Sequence, residues 1–201
     1  MDWDALFAVG EQAELSTAEI SDRLEAIRED RPHSTPTATV DEPVEPTPVR
    51  IVVDADVLVA DLFGTSQAAR TALDTLWEHS WITLVGSDEL LTDAAQIITA
   101  ETDETIAAGW RSIMEEWRLP VTHPKTDHPA LGSAYRGGAM HILSNDERLT
   151  GSRAATALQG RLPVSVRTPD AFNAVFSAAS LYQEVSETPY DGPDRKPRRR
   201  R

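Results

Sequence analysis

Two carboxylates follow directly after a short apolar run. Ile51, Val52 and Val53 are all β-branched, which is typical of a strand buried on both faces of a parallel sheet. Asp54 and Asp56 come next. In open α/β sheets, ligands and metals bind at the carboxyl ends of the strands, and these two acids lie at such an end. The pair therefore predicts a ligand or metal site, provided that other acids reach the same edge.

Apolar runs alternate with helical segments along the rest of the chain. The fourth apolar run leads directly into Ser144, Asn145 and Asp146. Strands that alternate with helices indicate a three-layer α/β sandwich around a five-stranded, mostly parallel sheet. The predicted strands are residues 51–53, 82–85, 119–121, 140–143 and 164–166.

Capping residues and apolar stripes mark the helices between these strands. Ser87 caps a predicted helix that runs to residue 100, and residues 103–117 place their tryptophans on one apolar face. A Gly-Gly pair ends a helix that starts at Asp127. Further helices are predicted from residue 65 or 66 to about residue 79, from 147 to 159, and after a cap at residue 168.

The sequence divides into four segments. Residues 1–31 are predicted to form a helical N-terminal extension. Residues 32–48 are predicted to be a linker, because they are proline-rich and too polar to bury. Residues 49–183 contain the α/β domain, and residues 184–201 are expected to be a disordered tail with a basic C-terminus.

Acidic residues dominate the composition. The chain has 33 Asp and Glu against 19 Lys and Arg, for a net charge of -14, and six of the basic residues lie in the last seven positions. Such a surface repels nucleic-acid phosphate unless cations or strong salt intervene. Only two basic residues are lysines, Lys125 and Lys196. This balance is typical of a halophile's cytosolic protein, in which salt screens the self-repulsion.

The composition also excludes several kinds of site and location. The chain has no cysteine, so it has no disulfide and no thiolate metal site. Its first residues are acidic where a signal peptide is basic, and it has no apolar run near 18 residues. We therefore expect a cytoplasmic protein that does not bind membranes. His123, His128 and His141 have no metal-ligand spacing, so structural or surface roles are expected for them.

Four sequence pieces together resemble the PIN domain, a family of metal-dependent ribonucleases. They are VVDADVL, GSDELLTD, DHPALGSAYRGGAMHILSND and VRTPDAF, within residues 50–179. The third is the most specific, since an acid opens a helix and a hydrophobic strand then ends in Ser-x-Asp. The resemblance implies a parallel sheet with four acids meeting at one edge, one or two Mg²⁺ or Mn²⁺ ions, and hydrolysis of RNA phosphodiesters.

The resemblance also assigns site residues. The family's small hydroxyl corresponds to Ser144, and Asp56 stands where the family often has Asn or Ser. Glu89 lies one helical turn before the second acid and is its alternative. The four acids that the resemblance makes both catalytic residues and metal ligands are Asp54, Asp93, Asp127 and Asp146, with Asp56, Glu89, Ser144 and Asn145 in support. Oxygen-only ligation suits Mg²⁺ or Mn²⁺ better than zinc.

Each acid also has a simpler interpretation. Asp127 and Asp146 both precede predicted helices, where Asp is a favoured N-cap. Asp93 fits a solvated position on its helix. Asp54 is the hardest to explain in this way, because a carboxylate at the end of a buried strand needs a cation, hydrogen-bond donors or solvent.

Two other functions fit the same residues. The domain fits a catalytically weak, PIN-like binding or scaffolding module, with residues 1–31 docking a protein partner or antitoxin. The motif DADVL also resembles the nucleophile motif of haloacid-dehalogenase-type phosphohydrolases. In that case Asp54 is the nucleophile and Asp56 the acid/base, with Ser87 and Lys125 as phosphate ligands. RNA is the expected partner of the nuclease, and a homodimer is compatible with all three functions.

Overall fold

Five parallel strands form the central sheet of the computed structural model, which describes residues 1–31, 39–158 and 162–198. The strands lie in the order β3-β2-β1-β4-β5, and every neighbouring pair is parallel. All five predicted strands are found, and the α/β class is confirmed. Their bounds are β1 (Thr47–Val53), β2 (Thr83–Ser87), β3 (Arg118–Val121), β4 (Ala139–Leu143) and β5 (Ser165–Arg167).

Helices flank this sheet and make the three-layer sandwich that the sequence predicts. Two helices precede the first strand and form the N-terminal extension. The helices are α1 (Trp3–Gly10), α2 (Thr17–Glu29), α3 (Ala55–Leu62), α4 (Gln67–Trp77), α5 (Asp88–Glu101), α6 (Glu104–Trp117), α7 (Pro129–Gly137), α8 (Glu147–Thr150), α9 (Ser152–Leu158), α10 (Pro169–Val175) and α11 (Ala178–Tyr182). In the part of the chain that is described, no helix is long and apolar enough to cross a membrane.

Strand β1 is at the centre of the sheet, and the order in which strands are added changes direction there. Strands β2 and β3 lie on one side of β1, and β4 and β5 lie on the other. The Asp54 N–H donates a 2.8 Å hydrogen bond to Leu143 O, so the carboxyl ends of β1 and β4 adjoin. Such a switch point is where open α/β sheets form their binding crevices.

Helix α3 is buried along its whole length. All eight of its residues are buried, including Asp56 and Asp61. The sequence pattern does not predict a helix here, because a helix that is buried on every side has no separate polar face to mark its period. Asp54 caps α3, so the turn from β1 into α3 fixes the direction of that carboxylate.

Helix α7 begins later than the sequence predicts. Its N-cap is His128 rather than Asp127, and Pro129 takes the first helical position, which is where proline is favoured. Gly132 and Gly137 let α7 approach the sheet closely, since a Cβ at Gly137 would overlap the side chain of Val85. The predicted helix from 147 to 159 is two helices separated by Gly151, and its last residue lies outside the described part.

The N-terminal helices pack on the domain. Phe7 and Leu6 of α1 and Ile20 and Leu24 of α2 are buried in the same hydrophobic core as the sheet. Ser16 and Glu19 form the predicted capping box at the start of α2. Of the predicted linker, residues 32–38 lie outside the described part, and residues 39–46 reach β1 without a helix or strand.

The C-terminal segment lies against the domain, which differs from the disordered tail that the sequence predicts. Arg198 is buried and forms ion pairs with Asp61 and Asp74. Tyr190 shares a 2.6 Å hydrogen bond with His79. The acidic body therefore supplies partners to this basic segment as far as residue 198, and residues 199–201 lie outside the described part.

Candidate functional site

Three carboxylates are buried together at the carboxyl edge of the sheet. Asp54 follows β1 and caps α3, Asp56 lies in the first turn of α3, and Asp93 lies in the middle of α5. Their residues are 0%, 3% and 0% exposed. Asp146, which caps α8 after β4, lies beside them and is half-buried. We call Asp54, Asp56, Asp93 and Asp146 the acid pocket.

Asp54 is held by donors on three sides. Its Oδ1 accepts hydrogen bonds from Ala55 N at 2.8 Å and from Arg28 Nη2 at 2.7 Å, and its Oδ2 accepts one from Ser144 Oγ at 3.1 Å. Burial alone would raise the pKa of Asp54, but the Arg28 guanidinium and the His128 ring lower it below its usual value. Asp54 is therefore ionised.

Asp56 is held in the opposite protonation state. Its Oδ1 accepts from Val57 N at 2.6 Å and its Oδ2 accepts from Asn145 N at 2.7 Å. Burial and the neighbouring Asp54 charge nevertheless raise the pKa of Asp56 to about 8. Asp56 consequently carries a proton at neutral pH.

A single arginine of helix α2 connects the acids. Arg28 donates from Nη2 to Asp54, from Nε to Asp93 Oδ2 at 3.0 Å, and from Nη1 to His128 Nε2 at 2.8 Å. Arg31 also donates to Asp93. Burial alone would lower the pKa of Arg28, but the Asp54 and Asp93 carboxylates raise it above its usual value. Arg28 is thus a permanent cation between two acids.

Asp93 and Asp146 differ in their surroundings. Burial raises the pKa of Asp93, and the contacts with Arg28 and Arg31 offset this only in part. Burial also opposes ionisation of Asp146, but hydrogen bonds from Arg148 hold its pKa below the usual value. The Asp146 N–H donates to Ser144 Oγ at 3.1 Å, which ties this acid to the same hydroxyl that Asp54 uses.

Two residues assigned from the resemblance lie apart from the acid pocket. Asp127 is exposed and lies on the wall of a 250 Å³ cavity that Arg28 and His128 also line. Within the described ranges, Asp127 has no hydrogen bond or ion pair with the other acids. Glu89 faces a different cavity, and its Oε2 lies 4.0 Å from His123 Nε2. Glu89 therefore does not take the place of Asp93.

The histidines and the phosphohydrolase residues occupy varied positions. His128, which was expected to be structural or on the surface, lies in the site beside Arg28. His123 is buried 2.9 Å from Ser87 Oγ, and that hydroxyl also caps α5. Lys125 is exposed. The two expected phosphate ligands, Ser87 and Lys125, thus differ in accessibility.

The acid pocket presents carboxylate oxygens of the kind that bind divalent cations. Its donor set is all oxygen, which suits Mg²⁺ or Mn²⁺ in chemistry. In this conformation, however, guanidinium groups occupy one oxygen of Asp54 and both oxygens of Asp93. Throughout the described residues, no three His, Asp or Glu side chains converge in a way that could hold a metal ion. The donor chemistry of the pocket therefore suits a divalent cation, but Arg28 and Arg31 hold the oxygen atoms that it would need.

A cavity of about 630 Å³ opens between α2 and the edge of the sheet. Asp56, Asn145 and Asp146 line its inner wall, and Arg28 and Arg148 lie beside them. Arg148 also pairs with Glu25 of α2 at 2.7 Å. The cavity therefore gives access to the site, and its wall contains both acidic and basic side chains.

The sequence patterns do not reveal the arginines of this site. Arg28 is separated from Asp93 by 65 positions and from Asp54 by 26, so no local motif joins them. A signal does exist, because Arg28 directly follows the apolar stripe of α2 that ends at Ile27. An arginine next to a buried stripe is positioned to enter the domain that the stripe packs on.

The fold and this acid pocket describe a parallel α/β domain with a carboxylate site at its switch point. A family model matches residues 45–198, and the chain belongs to that family, the family of unknown function DUF7384. Comparisons with curated proteins and with solved structures returned no match. The matched range contains all four acids of the pocket and begins after α2.

Proposed function

We propose that this protein is a metal-dependent endoribonuclease that hydrolyses RNA phosphodiesters at the acid pocket. The observation that carries the proposal is the convergence of Asp54, Asp56 and Asp93 at the carboxyl edge of the sheet, with Asp146 beside them. Buried carboxylates are costly, so their accumulation at a binding crevice favours a functional role. The sequence resemblance to PIN domains supports the same activity.

In this proposal the chain's own residues shape and orient the site. Ser144 and Asn145 fix the carboxylates of Asp54 and Asp56, and Asp146 lines the access cavity. A divalent ion at these acids would supply an activated water and would neutralise charge at the phosphate. Asp54 and Asp93 are the residues that would hold it, in place of their contacts with Arg28.

A second candidate function is a binding or scaffolding module. The observation in its favour is that Arg28 and Arg31 already neutralise Asp54 and Asp93. If this pairing is permanent, the pocket is a structural ion-pair network and the domain's role is to bind a partner. The residues of the phosphohydrolase alternative gain no comparable support, since Ser87 Oγ is committed to a helix cap and to His123.

Cleavage of single-stranded RNA tests the nuclease proposal. We expect Mn²⁺-dependent cleavage by the wild-type chain in molar KCl, which screens the acidic surface. Asp54→Asn and Asp93→Asn should each abolish it, whereas Asp4→Asn, an exposed acid outside the pocket, should retain it. Equal cleavage by the wild type and both pocket variants would contradict the proposal.

A further inference from the structure

Helix α2 covers the acid pocket and inserts a cation into it. We infer that α2 is a built-in inhibitor, in which the Arg28 guanidinium occupies the place of a divalent cation and must leave before that cation binds. The inference rests on the proposed function and adds its regulation. It also accounts for the guanidinium contacts on oxygen atoms that a divalent cation would need.

The competition follows from the atoms involved. Arg28 donates to Asp54 Oδ1 at 2.7 Å and to Asp93 Oδ2 at 3.0 Å, so one planar group spans acids from two elements. An arginine fork suits such pairing because its donors are fixed in one plane. A divalent ion coordinated by these two carboxylates needs the same oxygen atoms. The two cations therefore exclude each other.

Helix α2 packs on the domain through a narrow apolar stripe made of Ile20, Leu24 and Ile27. Of its 13 residues, Ile20 and Leu24 are buried. Its outer ion pairs join exposed or half-exposed side chains, Arg23 with Glu101 and Glu25 with Arg148. Salt weakens ion pairs between exposed side chains. The buried contacts of Arg28 with Asp54 and Asp93 therefore provide much of the polar attachment of α2 to the domain. An attachment of this kind is reversible when another cation takes over the acids.

The cavities around Arg28 support the same inference. Arg28 lines the 630 Å³ cavity with Asp146, a second cavity of 330 Å³ with Asp146, and the 250 Å³ cavity with Asp127. The side chain of Arg28 thus lies between spaces that contain different acids. Its release would remove a side chain that these spaces share as part of their walls.

The family match separates the inhibitor from the domain. The match begins at residue 45, so α2 lies outside it, whereas Asp54, Asp93 and Asp146 lie inside it. The matched range of this chain therefore includes these three acids but not the arginine that pairs with Asp54 and Asp93.

Calorimetric titration of the full chain with Mn²⁺ in molar KCl tests the inference. Arg28→Gln should bind Mn²⁺ at least about tenfold more tightly than the wild type, because the Arg28 guanidinium then no longer competes for Asp54 and for one oxygen of Asp93. Arg23→Gln is the matched control on the same helix, since Arg23 pairs with Glu101 outside the pocket. Equal affinities for Arg28→Gln and the wild type would overturn the inference.

A second variant covers the case in which Arg28→Gln folds poorly. Leu24→Ala leaves every charge of the pocket in place but weakens the docking of α2. We expect this variant, too, to bind Mn²⁺ more tightly than the wild type. In the wild type, Mn²⁺ should also accelerate hydrogen exchange of the α2 amides. Unchanged affinity in Leu24→Ala together with unchanged or slower exchange would mean that Arg28 is a fixed structural partner, and would overturn the inference.

RNA cleavage by the same variants separates this inference from the nuclease proposal. Tighter Mn²⁺ binding with faster cleavage by Arg28→Gln supports both. Tighter binding with no cleavage by any variant supports the inhibitor and rejects the nuclease. Equal binding and equal cleavage by Arg28→Gln and the wild type rejects the inhibitor and keeps the nuclease.

Discussion

At the scale of single residues, the acid pocket removes carboxylates from water in two different ways. Asp54 and Asp93 keep contacts with guanidinium groups, which offset the cost of burying a charge. Asp56 instead retains its proton, because burial and the Asp54 charge raise its pKa to about 8. At neutral pH the pocket therefore has fewer negative charges than it would have if all four of its carboxyl groups were ionised.

Asp56 makes the stability of the protein depend on pH. In the unfolded chain this group has its ordinary pKa of 3.8, whereas in the folded chain its pKa is about 8. The folded state thus binds the proton more tightly, so the contribution of Asp56 is fully present below about pH 4 and is lost as the pH rises through about 8. The Asp56→Asn variant should not show this loss of stability at high pH.

Thermal unfolding of both chains between about pH 5 and pH 9 checks this prediction. The wild type should lose more Tm over this interval than Asp56→Asn does. Asp4→Asn, an exposed acid, is the control and should follow the wild type. Parallel curves for the wild type and Asp56→Asn would refute the raised pKa.

At the scale of elements, the close packing of helix α7 on β2 fixes the strand end that leads to Asp93. Gly132 and Gly137 face His123 and Val85, and neither position has room for a Cβ atom. The helix therefore packs close to β2, and Ser133 Oγ accepts a 3.0 Å hydrogen bond from Ser87 N. This contact fixes the end of β2, from which α5 carries Asp93 into the pocket.

Gly137→Ala should destabilise the fold by about 1–3 kcal/mol, because the added methyl group forces α7 away from the sheet. For a domain of this size that corresponds to a fall in Tm of about 2–12 °C. Gly86→Ala is the control, since its Cβ would meet only Arg118 Cδ at 3.8 Å. Equal Tm values for the two variants would show that α7 can shift without cost.

The elements were predictable where one physical signal dominates. The strands follow from β-branched runs buried on both faces, and α5 follows from the cap at Ser87. Helix α3 was not predictable from the sequence, because a wholly buried helix has no polar face. The start of α7 depends on the preference of Pro129 for the first helical turn over Asp127 as a cap. The Arg28 contacts require a tertiary docking that no local pattern contains.

At the scale of the whole molecule, a second buried charge cluster joins the C-terminal segment to the domain. Arg198 donates to both oxygens of Asp61 in α3 at 2.7 and 2.9 Å and to Asp74 in α4 at 2.7 Å. Its guanidinium also lies 5.0 Å from the centre of the Trp3 ring in α1. Four separate segments of the chain therefore meet at this arginine.

Arg198→Ala should lower stability by about 3 kcal/mol, the lower part of the range for breaking a buried ion pair, because Arg70 still pairs with Asp61. Denaturant unfolding measures the change. Arg195→Ala is the control, since Arg195 is exposed and contacts the ring of Trp77 at 5.7 Å. A loss below about 0.5 kcal/mol in Arg198→Ala would indicate that the segment contributes little to the fold.

The net charge of -14 predicts a stability that rises with salt. Raising KCl from about 0.1 M to 1 M shortens the screening length from about 10 Å to 3 Å and reduces repulsion among exposed carboxylates. The Tm should rise over this interval, and an uncharged osmolyte such as sucrose at equal osmolarity should raise it less. A Tm independent of KCl would argue against an adaptation to high salt.

The complete burial of α3 restricts how this protein can acquire new properties. In a saturation library, charged or bulky substitutions at 55–62 should be depleted, because no side chain of the helix can turn outward. Variation that retunes the neighbouring site must therefore come from the lining of the open cavity or from α2. Selection for altered activity should recover changes in those places, which makes them the practical starting point for engineering.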